Sequence, residues 1–205
     1  MIAIVDYGVG NLFSLKSSFA CVGAQAEVTR EASALRRASK IVLPGVGAFA
    51  DAAKKLKESG LQEAFCEEAR AGKPVLGICL GMQLLFEESL EYGVHPGLGL
   101  LKGRVEPIAP AVGKGYKVPH IGWNVLNFPK ERPKAPIFAD VSEGDYVYFV
   151  HSYYAAHCED SLAATTDYGA PLTAAVWQGS LFATQFHPEK SGEVGLKILR
   201  AFARL

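Results

Sequence analysis

Across its first ninety residues the chain alternates short β-rich runs with stretches of helical spacing. That alternation limits the fold more than any other feature. Ile2–Val5, "QAEVT" at 25–29, "IVLPG" at 41–45 and "PVLGIC" at 74–79 read as strands. Between them, Leu12, Leu15, Phe19 and Val22 recur at helical intervals, with Gly23 as a C-cap. "EASALRRASK" is a short helix or turn, Ala48–Ala71 is helical in composition with a break at Gly60, and "GMQLLFEESLE" follows the fourth strand as a helix. Strand and helix in strict succession imply an α/β fold with a parallel sheet and right-handed crossovers.

Beyond Gly93 the texture changes. "GLGLLKGRVEPI", "VPHIGWNVLNF", "DYVYFVHSYYAAH" and "SLFATQFHPE" read as strands and turns, and "APLTAAVWQGSLFATQF" as a hairpin turning at Gln178-Gly179. "GEVGLKILRAFARL" closes the chain as an amphipathic helix with Val194, Ile198, Leu199 and Phe202 on one side. No linker or repeat separates the halves, so one domain over 1–205 is expected, its sheet mostly parallel in the first half and extended by antiparallel strands from the second.

Charge narrows the function classes. Lys plus Arg and Asp plus Glu each number 21, so composition implies no basic face and no nucleic-acid partner. No apolar run approaches a membrane span, and the N-terminus lacks the basic region of a signal peptide. A cytoplasmic protein with reduced thiols is the expectation. Its four cysteines match no zinc ribbon or CxxC pair, and His95, His120 and His157 lack metal-ligand spacing, so no metal and no cofactor is assigned. Cys21, Cys66 and Cys158 read as small apolar residues, and His151 as structural or peripheral.

Cys79 is different. It stands where the fourth strand meets its helix, between Gly77 and Gly81, in the spacing G-x-C-x-G. Functional groups gather at the C-terminal ends of such strands. A tight strand-to-helix turn needs small neighbours and presents its central side chain above the sheet. Helix-start N–H groups, Leu80 among them, can favour a thiolate and donate to an oxyanion. A buried cysteine in an ordinary Gly-rich turn fits the motif equally well. Downstream, "TQFHPEKS" offers His187 and Glu189, two apart on a strand end and therefore on one side of an extended chain, as a base and the group that orients it. "LPGVGAF" lies past the third strand, and its Pro-Gly-x-Gly turn exposes N–H groups suited to an oxyanion, with Val46 and Gly47 as donors. A phosphate loop or plain turn is the alternative, although the pattern is neither a Walker loop nor GxGxxG.

Together "GICLGMQ", "HPEKS" and "LPGVGAF" resemble the triad (class I) glutamine amidotransferases over nearly the whole chain. "DYGVGNL", "VPHIGWN" and "YFVHSYY" resemble the branch of that family serving histidine biosynthesis. The resemblance implies the family's three-layer fold and the hydrolysis of L-glutamine by Cys79, His187 and Glu189. It implies that Gln83, Glu91 (on the helix after the nucleophile), Ser152 and Tyr153 hold the substrate. It also implies a (β/α)8-barrel cyclase as heterodimer partner, with Asn11, Trp123, Asn124, Tyr148 and Lys190 facing it. Trp123 lies beside turn-prone residues, where a large aromatic is costly to expose unless something covers it; filling core is its other explanation. Rival readings are the glutaminase of another synthase, an elbow-cysteine hydrolase or peptidase, and a non-catalytic scaffold subunit. The sequence departs from the broader family in one place: Val46 stands where Gly-Gly is common after the proline. A valine resists positive φ, so the loop's donor N–H is expected to point away until partner or acceptor binding turns it inward.

Overall fold

The computed structural model describes residues 1–205. The first half runs β1 (Ile2–Val5), α1 (Leu12–Cys21), β2 (Ala26–Thr29), α2 (Ala32–Arg37), β3 (Lys40–Leu43), α3 (Phe49–Glu58), α4 (Leu61–Arg70), β4 (Val75–Ile78) and α5 (Leu80–Leu84). Gly60 separates α3 from α4 in a left-handed conformation, φ 73°. The second half adds β5 (Glu88–Ser89), β6 (His95–Pro96), β7 (Arg104–Pro107), α6 (Ile108–Val112), β8 (His120–Val125), β9 (Tyr146–His151), β10 (Tyr153–Ala156), β11 (Leu162–Asp167), β12 (Pro171–Gln178), β13 (Leu181–Thr184) and α7 (Gly192–Arg204). No helix is long and apolar enough to cross a membrane.

The central sheet has seven strands in the order β11-β12-β13-β4-β3-β1-β2. β13, β4, β3, β1 and β2 are mutually parallel, while β12 and β11 add antiparallel pairs at the far edge. Alternation along β1 sends Ala3 and Val5 to one face and Ile2 and Ile4 to the other. The first face packs Leu35 of α2, Phe49 and Leu56 of α3 and Phe65 of α4. The second packs Leu15 and Phe19 of α1 and Ile198, Leu199 and Phe202 of α7. Two helical layers thus enclose a sheet whose central strands are buried on both sides, which explains why they read as continuous apolar runs.

Four sequence expectations change. The helix after Cys79 ends at Leu84 instead of reaching Glu91. Leu84, Leu85 and Phe86 are fully buried. Their carbonyls accept from Leu98, Leu100 and Gly99 at 2.8–3.0 Å, so a crossing segment takes the bonds that further helix would have used. Glu88–Ser89 then pairs with β6 and β7 instead of coiling. The β12–β13 hairpin turns one residue later than expected: Gln178 pairs with Leu181, leaving Gly179-Ser180 as the turn, with Gly179 at φ 58°. β11, whose "LAATTD" carries no large apolar residue after Leu162, is an edge strand that the sequence reading passed over. Of the three cysteines read as small apolar residues, Cys66 and Cys158 are buried but Cys21 is exposed.

Candidate active site

Cys79 sits at the C-terminal end of β4 with φ 53° and ψ −110°, one of three non-glycine residues at positive φ. Such a conformation is strained and persists only where the surroundings enforce it. Here Cys79 N–H donates to Thr184 O at 2.7 Å, and Cys79 O accepts from Met82 and Gln83 N–H at 3.0 and 3.2 Å. The flanking glycines are needed for close approach. A Cβ on Gly81 would collide with the carbonyl oxygen of Leu43, and one on Gly77 would lie 3.0 Å from Gly81 O. Gly45 of the neighbouring loop also abuts the elbow: its Cβ would meet Gly81 N and Leu80 Cβ at 2.9 Å.

β13 lies directly beside β4, with Thr184 in register with Ile78. That pairing carries the segment after β13 to the elbow, although 106 residues separate Gln185 from Cys79. His187 Nδ1 and Glu189 Oε1 stand 2.8 Å apart, their side chains only 3% and 4% exposed. The expected contact is real but its geometry differs: Pro188–Lys190 form a 3-10 turn, which folds Glu189 back onto the ring. His187 Nε2 is buried without a hydrogen-bond partner. Burial alone would depress the imidazolium. The neighbouring Cys79 sulfur and the Glu189 carboxylate outweigh it and raise the His187 pKa to about 10. The ring is therefore held as a cation when Cys79 is a thiolate. A buried nucleophile, a base and an orienting carboxylate in this order can perform acyl transfer.

A cavity of about 380 Å³ opens over the sulfur, within the range of small-molecule sites. Val46, Gly47 and Leu80 line one side. None of their three N–H groups donates to another protein group. Val46 avoids positive φ, which falls on Gly47 at 97°. Gln83, Glu91, Ser152 and Tyr153 line the rest, with His187 and Lys190 at the wall. Glu91 arrives in the loop after β5, not on a helix: Leu90 N–H bonds to Val105 O, and Glu91 Oε2 then accepts from Phe49 N–H at the start of α3. Burial, then the Glu91 carboxylate, then Tyr92 raise the Tyr153 phenol above its usual pKa. Gln83 Nε2 donates to Tyr153 O at 3.2 Å and to Gln185 Oε1 at 3.0 Å.

The remaining sequence candidates lie outside this cavity, apart from Lys190. Trp123 is 56% exposed on β8, its ring 6.1 Å edge-on to Tyr148 of β9. Lys190 Nζ stands 5.9 Å from the Tyr148 ring centroid. Tyr148 is tied to the His187 turn by two bonds: His187 N–H donates to Tyr148 O, and Tyr148 N–H to Ser191 Oγ, each at 3.0 Å. Asn11 caps α1 through Ser14 N–H, and Asn124 Nδ2 donates to Asp167 O at 2.8 Å.

Sequence reasoning passed over Gln185, and set aside His151 as structural or peripheral and His120 as lacking metal-ligand spacing. Gln185, fully buried, donates from Nε2 to Cys79 Sγ at 3.6 Å; its place two residues before His187 on the same strand end was the available signal. His151 lines the cavity, donating from Nδ1 to Tyr153 O at 2.8 Å, and its Nε2 faces His120 Nδ1 at 3.0 Å. Because the Tyr153 carbonyl can only accept, His151 carries its proton on Nδ1 and His120 donates to it. Burial pulls the two pKa values down, to about 3 for His151 and about 4 for His120.

The family model "Glutamine amidotransferase class-I" matches residues 3–204. "Imidazole glycerol phosphate synthase subunit HisH" of Syntrophotalea carbinolica is 49% identical, over 98% of each chain. The protein of the same name from Methanothermobacter thermautotrophicus is 50% identical, over 100% of this chain and 98% of the relative. A solved structure described as "Crystal structure of glutamine amidotransferase" superposes over all of both chains with a TM-score of 0.76 at 20% identity, a likeness of fold.

Proposed function

The chain belongs to the class-I glutamine amidotransferases, and on that premise we propose that it is the glutaminase subunit of an imidazole glycerol phosphate synthase. In this reading residues 1–205 form one amidotransferase domain, working in the cytoplasm with a (β/α)8-barrel cyclase as heterodimer partner. The observation that carries it is the strained Cys79 elbow beside the buried His187–Glu189 pair, at the floor of a cavity large enough for an amino acid.

Cys79, as a thiolate paired with the His187 imidazolium, attacks the side-chain amide carbon of L-glutamine. The C–S bond forms and the carbonyl electron pair moves to oxygen, where Leu80 N–H and a donor from Val46 or Gly47 receive it. His187 protonates the leaving nitrogen, ammonia departs, and a γ-glutamyl thioester remains. His187 then takes a proton from water, which attacks the thioester; glutamate leaves and the thiolate returns. Glu189 keeps the ring oriented and offsets its charge. Gln83, Ser152 and Tyr153 hold glutamine, and the Glu91 carboxylate faces its α-ammonium group. With the cavity's groups assigned to glutamine hydrolysis, little remains in the chain to bind an ammonia acceptor of sugar-phosphate type, which supports passing ammonia to a partner. Trp123, Tyr148, Lys190, Asn11 and Asn124 are assigned to that partner's face. The cyclase would consume the ammonia in making imidazole glycerol phosphate and an aminoimidazole carboxamide ribotide.

The test is glutamate release by this chain alone, and with the cyclase and its ribotide ligand. The Val46 loop predicts a rate that rises on addition of partner and ligand. Equal rates would contradict a gated oxyanion donor, and no glutamate under either condition would contradict the glutaminase reading.

A further inference from the structure

One buried polar group at the nucleophile has no part in the chemistry above. Gln185 follows β13, whose register sets it abreast of Cys79, and its side chain is sealed from solvent. Its amide lies between two partners: Nε2 donates to Cys79 Sγ at 3.6 Å, and Oε1 accepts from Gln83 Nε2 at 3.0 Å. The direction of this amide is set by the network around it. Tyr153 O, 3.2 Å from Gln83 Nε2, can only accept, so the Gln83 atom there is nitrogen. The Gln185 atom facing that nitrogen is then oxygen, and the one facing sulfur is nitrogen.

We propose that Gln185 is a catalytic residue, an N–H donor that holds Cys79 as a thiolate. The proposal deepens the glutaminase reading and rests on Cys79 as the nucleophile. A donor favours the charged sulfur over the neutral thiol because the thiolate is the stronger acceptor. The bond weakens when sulfur becomes a thioester and strengthens again as the thiolate leaves in the second step. No Gln185 bond to hydrogen breaks; the amide acts only through its dipole, and His187 carries every proton. The donor therefore serves both formation of the nucleophile and release of the acyl group.

The experiment is the pH dependence of Cys79 alkylation by iodoacetamide, read as the mass of the Cys79 peptide. A Cys21→Ser background removes the exposed thiol. Gln185→Met should raise the alkylation midpoint by about one pH unit, a tenfold loss of thiolate below it. An unchanged midpoint in a folded variant overturns the proposal. If Gln185→Met fails to fold, the wild-type chain answers. Of its five glutamine side-chain amides, labelled with nitrogen-15, that of Gln185 should titrate with the alkylation midpoint. A Gln185 amide signal that stays still across that range overturns the proposal. Alkylation requires no glutamine turnover, so failure of the glutaminase reading would show separately, as absent glutamate release.

Discussion

Acid should loosen this fold through one histidine more than its exposure to solvent suggests. His151 is buried, neutral and bonded on both ring nitrogens, with its pKa lowered to about 3. In the unfolded chain an imidazole titrates near about 6.5. The folded value is the lower one, so the contribution is present above about pH 6.5 and lost as pH falls towards 3. At pH 5 the unfolded ring binds a proton that the folded ring refuses. That favours unfolding by RT ln(1 + 10^1.5), about 2 kcal/mol. His120 acts in the same direction. His187, raised to about 10, acts in the opposite one, its contribution complete below about 6.5 and lost as pH climbs. The His151 share is isolated by difference. His151→Gln keeps a donor for Tyr153 O and an acceptor for His120 but cannot titrate. Urea melts at pH 7.5 and pH 5 should show the wild type losing about 2 kcal/mol more than the variant. Equal losses would refute the burial argument for His151.

Two further substitutions test the elbow and the partner face. Gly81→Ala, whose Cβ meets the Leu43 carbonyl, should cost about 3 kcal/mol in a thermal or urea melt; a cost below about 0.5 kcal/mol would mean that β3 and the elbow are less tightly apposed. Trp123→Ala should leave the isolated chain's stability within about 0.5 kcal/mol, because the ring is mostly exposed. It should weaken cyclase binding by about 2 kcal/mol, roughly thirtyfold in Kd by calorimetry; unchanged affinity would remove Trp123 from the interface.

What the sequence disclosed follows the physics of each element. The βα alternation was legible because the central strands are buried on both faces and the helices on one, so their apolar patterns differ in kind. The elbow was legible because only glycine suits positions 77 and 81. The helix beyond Leu84 was misread because Leu84-Leu85-Phe86 is buried all round, which erases any period, and because the segment that captures its carbonyls, residues 98–100, lies more than a dozen residues on and carries no strand or helix pattern of its own. The meeting of Glu189 with His187 was anticipated from extended chain but arises from a 3-10 turn. Glu91 enters the cavity on a loop whose position depends on β5 pairing with β7, a contact with no local signature. Gln185 went unremarked because its spacing from His187 is a weak signal by itself; the β4–β13 pairing is what places it against Cys79.

The central claim is that Cys79 opens the amide of glutamine and the partner uses the ammonia. The most direct measurement is synthesis by the complex of Cys79→Ala chain and cyclase, supplied in turn with glutamine and with ammonium salt. The account predicts no product from glutamine and undiminished product from ammonia. Product from glutamine at the wild-type rate would contradict it.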